Sequence, residues 1–116
     1  MKMRHVTIHT AKLEESVKFY EEIAGLKIQA ELRGKGPHDI VFLANDEGET
    51  CVELLEDPDG AYGGDGLSIG FEAEDTAAYR EELITKGMEV TPLISPNPQV
   101  TFFFTKDPNG VEIQFI

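Results

Sequence analysis

The 116-residue chain carries 22 acidic against 10 basic side chains, a net charge of -12, with 41% apolar and 28% charged residues. This length fits one domain rather than two, and the balance of residue types is that of an ordinary folded protein. So negative a surface repels phosphate backbones and anionic headgroups, which argues against nucleic-acid and membrane partners.

Arg4 to Ile8 alternates apolar and polar residues, and Leu13, Val17, Tyr20 and Ala24 then recur at helical spacing before Gly25. This predicts a strand, a helix and a glycine stop. Leu26 to Arg33, Ile40 to Ala44 and Thr50 to Leu55 follow as strands, with Gly34 to Pro37 and Asn45 to Glu49 as turns. Asp57 to Gly66 reads as a turn-rich connector. Beyond it the same order returns: Leu67 to Glu72 as strand, Asp75 to Lys86 as a helix with Asp75 at its N-cap, Gly87 as stop, then strands at Met88 to Ile94, Val100 to Thr105 and Val111 to Ile116. His5 pairs with Ser68, Gly25 with Gly87, Phe42 with Phe103, Asp46 with Asp107 and Glu53 with Gln114, each about 60 residues apart and in the same order. The expectation is one domain of two repeats, 1–57 and 66–116, joined by a linker at 58–65.

Side chains alternate across a strand. Val6, Ile8, Val52, Leu54, Leu67, Ile69, Phe71, Val111, Ile113 and Phe115 are therefore assigned to the helix-covered side. His5, Thr7, Cys51, Glu53, Ser68, Glu72, Glu112 and Gln114 take the open face. A curved sheet with helices on its convex side gathers His5, Glu53, Ser68, Gln114, Glu72 and Glu112 into a polar cup. Phe103 falls in the core by the repeat, leaving Phe102 and Phe104 to line the cup or a dimer contact. His9 and His38 read as surface residues and Cys51 as a small buried one. A lone cysteine excludes an intrachain disulfide, and with no secretory leader or membrane-length apolar run a cytoplasmic location is expected.

The opening His5-x(7)-Leu13-x-x-Ser16-x-x-Phe19-Tyr20-x(4)-Gly25 and the closing Asp107-Pro108-Asn109-Gly110-Val111-Glu112-Ile113-Gln114 resemble the glyoxalase, bleomycin-resistance and extradiol dioxygenase proteins, the vicinal-oxygen-chelate superfamily. Val52-Glu53-Leu54 looks like the strand ending that family's first unit. The resemblance implies an α+β fold of two strand-helix-strand-strand-strand units forming a curved mixed-sheet cup, and often a homodimer. It implies a divalent metal (Zn, Ni, Fe or Mn) held by one residue from each of four strands, here His5, Glu53, Ser68 and Gln114. Histidine and carboxylate suit such a metal, and a glutamine carbonyl is a weaker donor. Ser68 stands where the family has histidine, and Gln114 stands where glyoxalases carry a catalytic carboxylate. An amide cannot accept a proton as a general base, which leaves Glu53, or Glu112 after a register slip.

Two functions stay open. One is a glyoxalase-like, metal-assisted lyase or isomerase on a small oxygenated substrate, with Glu53 as ligand or base and Ser68, Glu112, Phe102 and Phe104 lining the substrate. The other is a metal-free protein sequestering a cationic small molecule in an acidic dimer groove. A purely structural domain has no feature in its favour.

Overall fold

The computed structural model describes residues 1–59 and 66–116; most of the expected connector, from 60 to 65, lies outside the described residues. The chain divides into two compact units, Met1–Gly63 and Gly64–Ile116.

Unit 1 runs β1 (His5–Thr10), α1 (Leu13–Glu22), β2 (Lys27–Leu32), β3 (Ile40–Ala44) and β4 (Cys51–Glu56). Its sheet has the order β1-β4-β3-β2. β1 and β4 are parallel, while β3 is antiparallel to both neighbours. Parallel neighbours need a long crossover, and α1 with the β2–β3 hairpin supplies it. Ile8, Val41, Leu43, Val52 and Leu54 are buried on one face of the sheet. α1 packs against β2, β3 and β4 and buries Leu13, Val17, Phe19 and Tyr20.

Lys12 offers no side-chain cap at the start of α1. Two buried hydroxyls fix Lys12 at the helix start instead: Thr10 Oγ1 accepts from the Lys12 N–H at 2.9 Å, and Ser16 Oγ donates to the Lys12 carbonyl at 2.7 Å. Gly25, at φ 73°, turns the chain out of the helix through the left-handed region that a side chain disfavours.

Unit 2 repeats the order with β5 (Ser68–Phe71), α2 (Thr76–Thr85), β6 (Ile94–Asn97), β7 (Val100–Lys106) and β8 (Glu112–Phe115) in the sheet β5-β8-β7-β6. β5 and β8 are again the parallel pair. Asp75 caps α2 by accepting from the Ala78 N–H at 3.0 Å, as the sequence implies, and Gly87 at φ 80° ends it. Leu83, Phe103, Val111 and Ile113 are fully buried. Phe115 is the hub, with its ring 5.5 Å from Phe103, 6.0 Å from Phe71 and 5.0 Å from Tyr79.

The structure corrects two expectations here. The strand expected at Met88 to Ile94 forms later, as Ile94–Asn97. Pro92 has no N–H to give a ladder, and Thr91 replaces the missing pairing: its N–H donates to the Phe104 carbonyl, and its hydroxyl accepts from the Phe104 N–H, both at 2.9 Å. Leu67 is 41% exposed rather than buried, because β5 begins one residue later.

Asp107 is buried in the turn before β8. Its Oδ1 accepts from the Asn109 and Val111 N–H groups at 2.8 and 2.9 Å, and its own N–H donates to the Val111 carbonyl at 3.0 Å. The Asp-Pro-Asn-Gly motif therefore sets where β8 starts. Removing a buried acceptor leaves its donors unpaired, at about 1–3 kcal/mol. Asp107→Ala is expected to lower the urea midpoint correspondingly with the slope unchanged, and an unaltered midpoint contradicts this role.

Candidate functional site

In unit 1 the parallel pairing sets His5 beside Cys51, Thr7 beside Glu53 and His9 beside Leu55. These side chains share the face turned away from α1, since Ile8, Val52 and Leu54 fill the other. The antiparallel pairing adds Phe42 directly opposite Glu53. Glu53 is thus enclosed from several sides. The Thr7 hydroxyl donates to its Oε1, His5 Nε2 stands 3.7 Å from the same oxygen, and the His5 ring lies edge-on to Phe42 with centroids 6.0 Å apart. The Glu53 side chain is only 12% exposed, against 43% for His5.

A hollow of about 570 Å³ opens beside this cluster, lined among others by His5, Phe42, Gln29 and Cys51. Lys2, Arg4, Glu47 and Glu49 also line it. Cys51 is half-buried here rather than enclosed, because its strand position faces the hollow.

Unit 2 has the same strand pairing with different residues. Ser68 is beside Glu112 and Gly70 beside Gln114, so position for position Ser68 matches His5, Gly70 matches Thr7, Glu112 matches Cys51 and Gln114 matches Glu53. Ser68 and Glu112 are exposed and Gln114 half-buried. A hydroxyl, a hydrogen atom and an amide replace the imidazole, hydroxyl and carboxylate. Phe104 is opposite Gln114 on the open face and packs edge-on with Phe102 at 5.6 Å. With Met88, Val90 and Glu112, Phe104 lines a second hollow of about 490 Å³.

A divalent ion bound to an imidazole nitrogen and a carboxylate oxygen at ordinary lengths of about 2.0–2.2 Å draws those atoms to roughly 3 Å apart. His5 and Glu53 come near this spacing. The matching positions of unit 2 offer a hydroxyl and an amide, and among the described residues no group of three or more His, Cys, Asp and Glu could hold a metal ion. Two strong donors do not make up the donor set of a resident metal centre. Glu72, placed in the cup by strand parity, lies just beyond the end of β5.

Parity placed Thr7 on the open face but missed its bond to Glu53, and it missed Phe42 as part of the site. Their signal was in the register, since Thr7 and Phe42 are the two strand neighbours of Glu53, and register is not written in a single strand. Gly70 is a third omission: a Cβ there would stand 3.3 Å from Gln114 Oε1, so the glycine leaves room for the amide.

A family model described as the Glyoxalase/Bleomycin resistance protein/Dioxygenase superfamily matches residues 2–115. The chain is 25% identical to a lactoylglutathione lyase of Haemophilus influenzae, covering 100% of this chain and 92% of that protein. Its fold matches the trypanothione-dependent glyoxalase I of Leishmania major with a TM-score of 0.81 at 23% identity, over 100% of this chain and 86% of the other. An antibiotic-binding protein from a Streptomyces species matches with a TM-score of 0.78 at 20% identity, over 99% and 93%.

The tight fit at Gly70 is testable. Gly70→Ala needs only a shift of a few tenths of an ångström in a half-exposed side chain and is expected to cost under about 1 kcal/mol while moving the Gln114 amide resonances; Gly70→Thr, which copies unit 1, is expected to cost about 1–3 kcal/mol. Unmoved Gln114 amide signals in both variants contradict the contact.

Proposed function

The chain belongs to the Glyoxalase/Bleomycin resistance protein/Dioxygenase superfamily, and within it we propose a metal-free binding protein that sequesters a small cationic organic molecule on the open face of unit 1. One observation carries the reading: the mostly buried Glu53 carboxylate, steadied by Thr7, has the Phe42 ring as its strand neighbour. A carboxylate beside an aromatic face is a site for an ammonium or other organic cation, because charge and ring quadrupole both attract it. The net charge of -12 favours the same guest at long range. Gln114, at the position where a lyase of this family is expected to need a carboxylate, has no proton-accepting group to offer. The similar Streptomyces protein is described as antibiotic-binding, a precedent within the fold.

A divalent-metal lyase is the second reading. The 3.7 Å approach of His5 to Glu53 and the likeness to lactoylglutathione lyase favour it.

We also read the chain as one domain of two repeats, 1–57 and 66–116 joined by 58–65, supported by the matching element order of the two units. A homodimer is the assembly favoured by the exposed Leu67, Leu93, Ile94 and Ile116 of unit 2. Sedimentation equilibrium is expected to give a dimeric mass, and a monomer at every concentration contradicts that assembly.

Thermal unfolding separates the two functions. Benzyltrimethylammonium at about 100 times its dissociation constant adds about 2.7 kcal/mol to stability, a rise in Tm on the order of 10 °C. Glu53→Gln keeps shape and removes charge, and is expected to abolish the rise. If the ammonium has no effect and nickel or zinc raises the Tm of the parent but not of His5→Ala, the lyase reading replaces this one.

A further inference from the structure

The face of unit 1 that carries Glu53 is ordered in rows, because residues paired across strands stand side by side and those two apart along a strand point the same way. One row runs Ala30, Phe42, Glu53 and Thr7 across β2, β3, β4 and β1. The next, two residues away on every strand, runs Leu32, Ile40, Leu55 and His9. At a rise of about 3.3 Å per residue the two rows are about 7 Å apart.

The second row is apolar except at its His9 end. Leu32 is 41% exposed, and Ile40 and Leu55 are half-buried. With Pro37, Lys35 and His38 these three line a hollow of about 490 Å³ whose wall is largely apolar. Apolar side chains thus stand open beside the row that carries the carboxylate, and a ligand long enough to reach from one row to the next is stabilised by covering them. Lys35 and His38 are the titratable residues of this lining, and it holds no acidic one. A cation therefore finds its counter-charge at Glu53 and none in the lining of the hollow, which orients a ligand with one charged end.

We infer that the ligand of the Glu53 site is a cationic amphiphile, a single ammonium group joined to one apolar arm, lying across both rows with its charge at Glu53 and Phe42 and its arm on Leu32, Ile40 and Leu55. This rests on the cationic-binding reading above and adds the rule by which the site chooses among cations: the arm, not the charge, sets affinity. Leu32, Ile40 and Leu55 are then specificity-determining residues.

An extended arm with carbon–carbon bonds of about 1.5 Å covers the distance between the rows in about six carbons. Isothermal titration of the intact protein with tetramethylammonium and its ethyl- to hexyltrimethylammonium homologues tests this. Binding is expected to tighten about two- to fourfold with each added methylene. Leu55→Thr and Leu32→Thr keep a residue suited to a strand, and each is expected to reduce the ratio of hexyl to tetramethyl affinity about fivefold. Hexamethonium, with an ammonium group at each end of a six-carbon chain, is expected to bind at least about tenfold more weakly than hexyltrimethylammonium. Equal or tighter binding of that dication, with the Asp57 carboxylate beside His9 as its second counter-charge, overturns the inference. If hexyltrimethylammonium binds no tighter than tetramethylammonium while Glu53→Gln abolishes both, the cationic site stands and this inference falls alone. If no member of the series binds, the cationic reading fails and takes the inference with it. The chain-length series is read on the parent protein and needs no variant to fold.

Discussion

Parallel pairing between the first and last strands of each unit is the constraint on which the rest depends. Each strand of such a pair shows one face to a helix and one away from it, and the pairing register decides which side chains of the two strands stand together. In unit 1 the burial of Ile8, Val52 and Leu54 under α1 fixes that register. A slip of one residue would carry these apolar groups to the open face, at about 1.5–3 kcal/mol for each side chain exposed. The same burial that stabilises the unit therefore holds Glu53 against Thr7 and near His5.

The two units use this frame differently. Unit 1 fills its open face with imidazole, hydroxyl, thiol, carboxylate and an aromatic ring. Unit 2, with the same topology, carries serine, glycine, glutamate and glutamine at the corresponding places. Backbone pairing is indifferent to such exchanges because the open face makes little of the core; the phenylalanine cluster around Phe115 and the Asp107 turn hold unit 2 together instead. Stability thus sits on one face, and the other is left to polar and aromatic side chains. Gln114 stands where unit 1 has the Glu53 carboxylate, and an amide has no proton-accepting group to offer.

Much of the fold was legible in the sequence for the same reason. Period-two strands, helix periodicity ending at Gly25 and Gly87, and the Asp75 cap are local signals, and the elements they predict are present to within a residue or two except near Pro92. Strand parity put His5 and Glu53 on one face from local pattern alone. What parity does not carry is register across strands, so the contacts of Glu53 with Thr7 and Phe42 had no local signature, nor did the 3.0 Å pairing of His9 with Asp57. His9 is exposed, as its place at the end of its strand implies. Leu67 misled, an apolar residue whose place just before β5 removes it from the alternation.

The most direct test of the central claim is a crystal structure of the chain grown with benzyltrimethylammonium. The account predicts the ammonium group within contact of the Glu53 carboxylate and the Phe42 ring, with Thr7 still bonded to Glu53. It is contradicted if His5 and Glu53 stand on opposite faces of the β1–β4 pair, or if the ligand is ordered elsewhere while Glu53 stays bare.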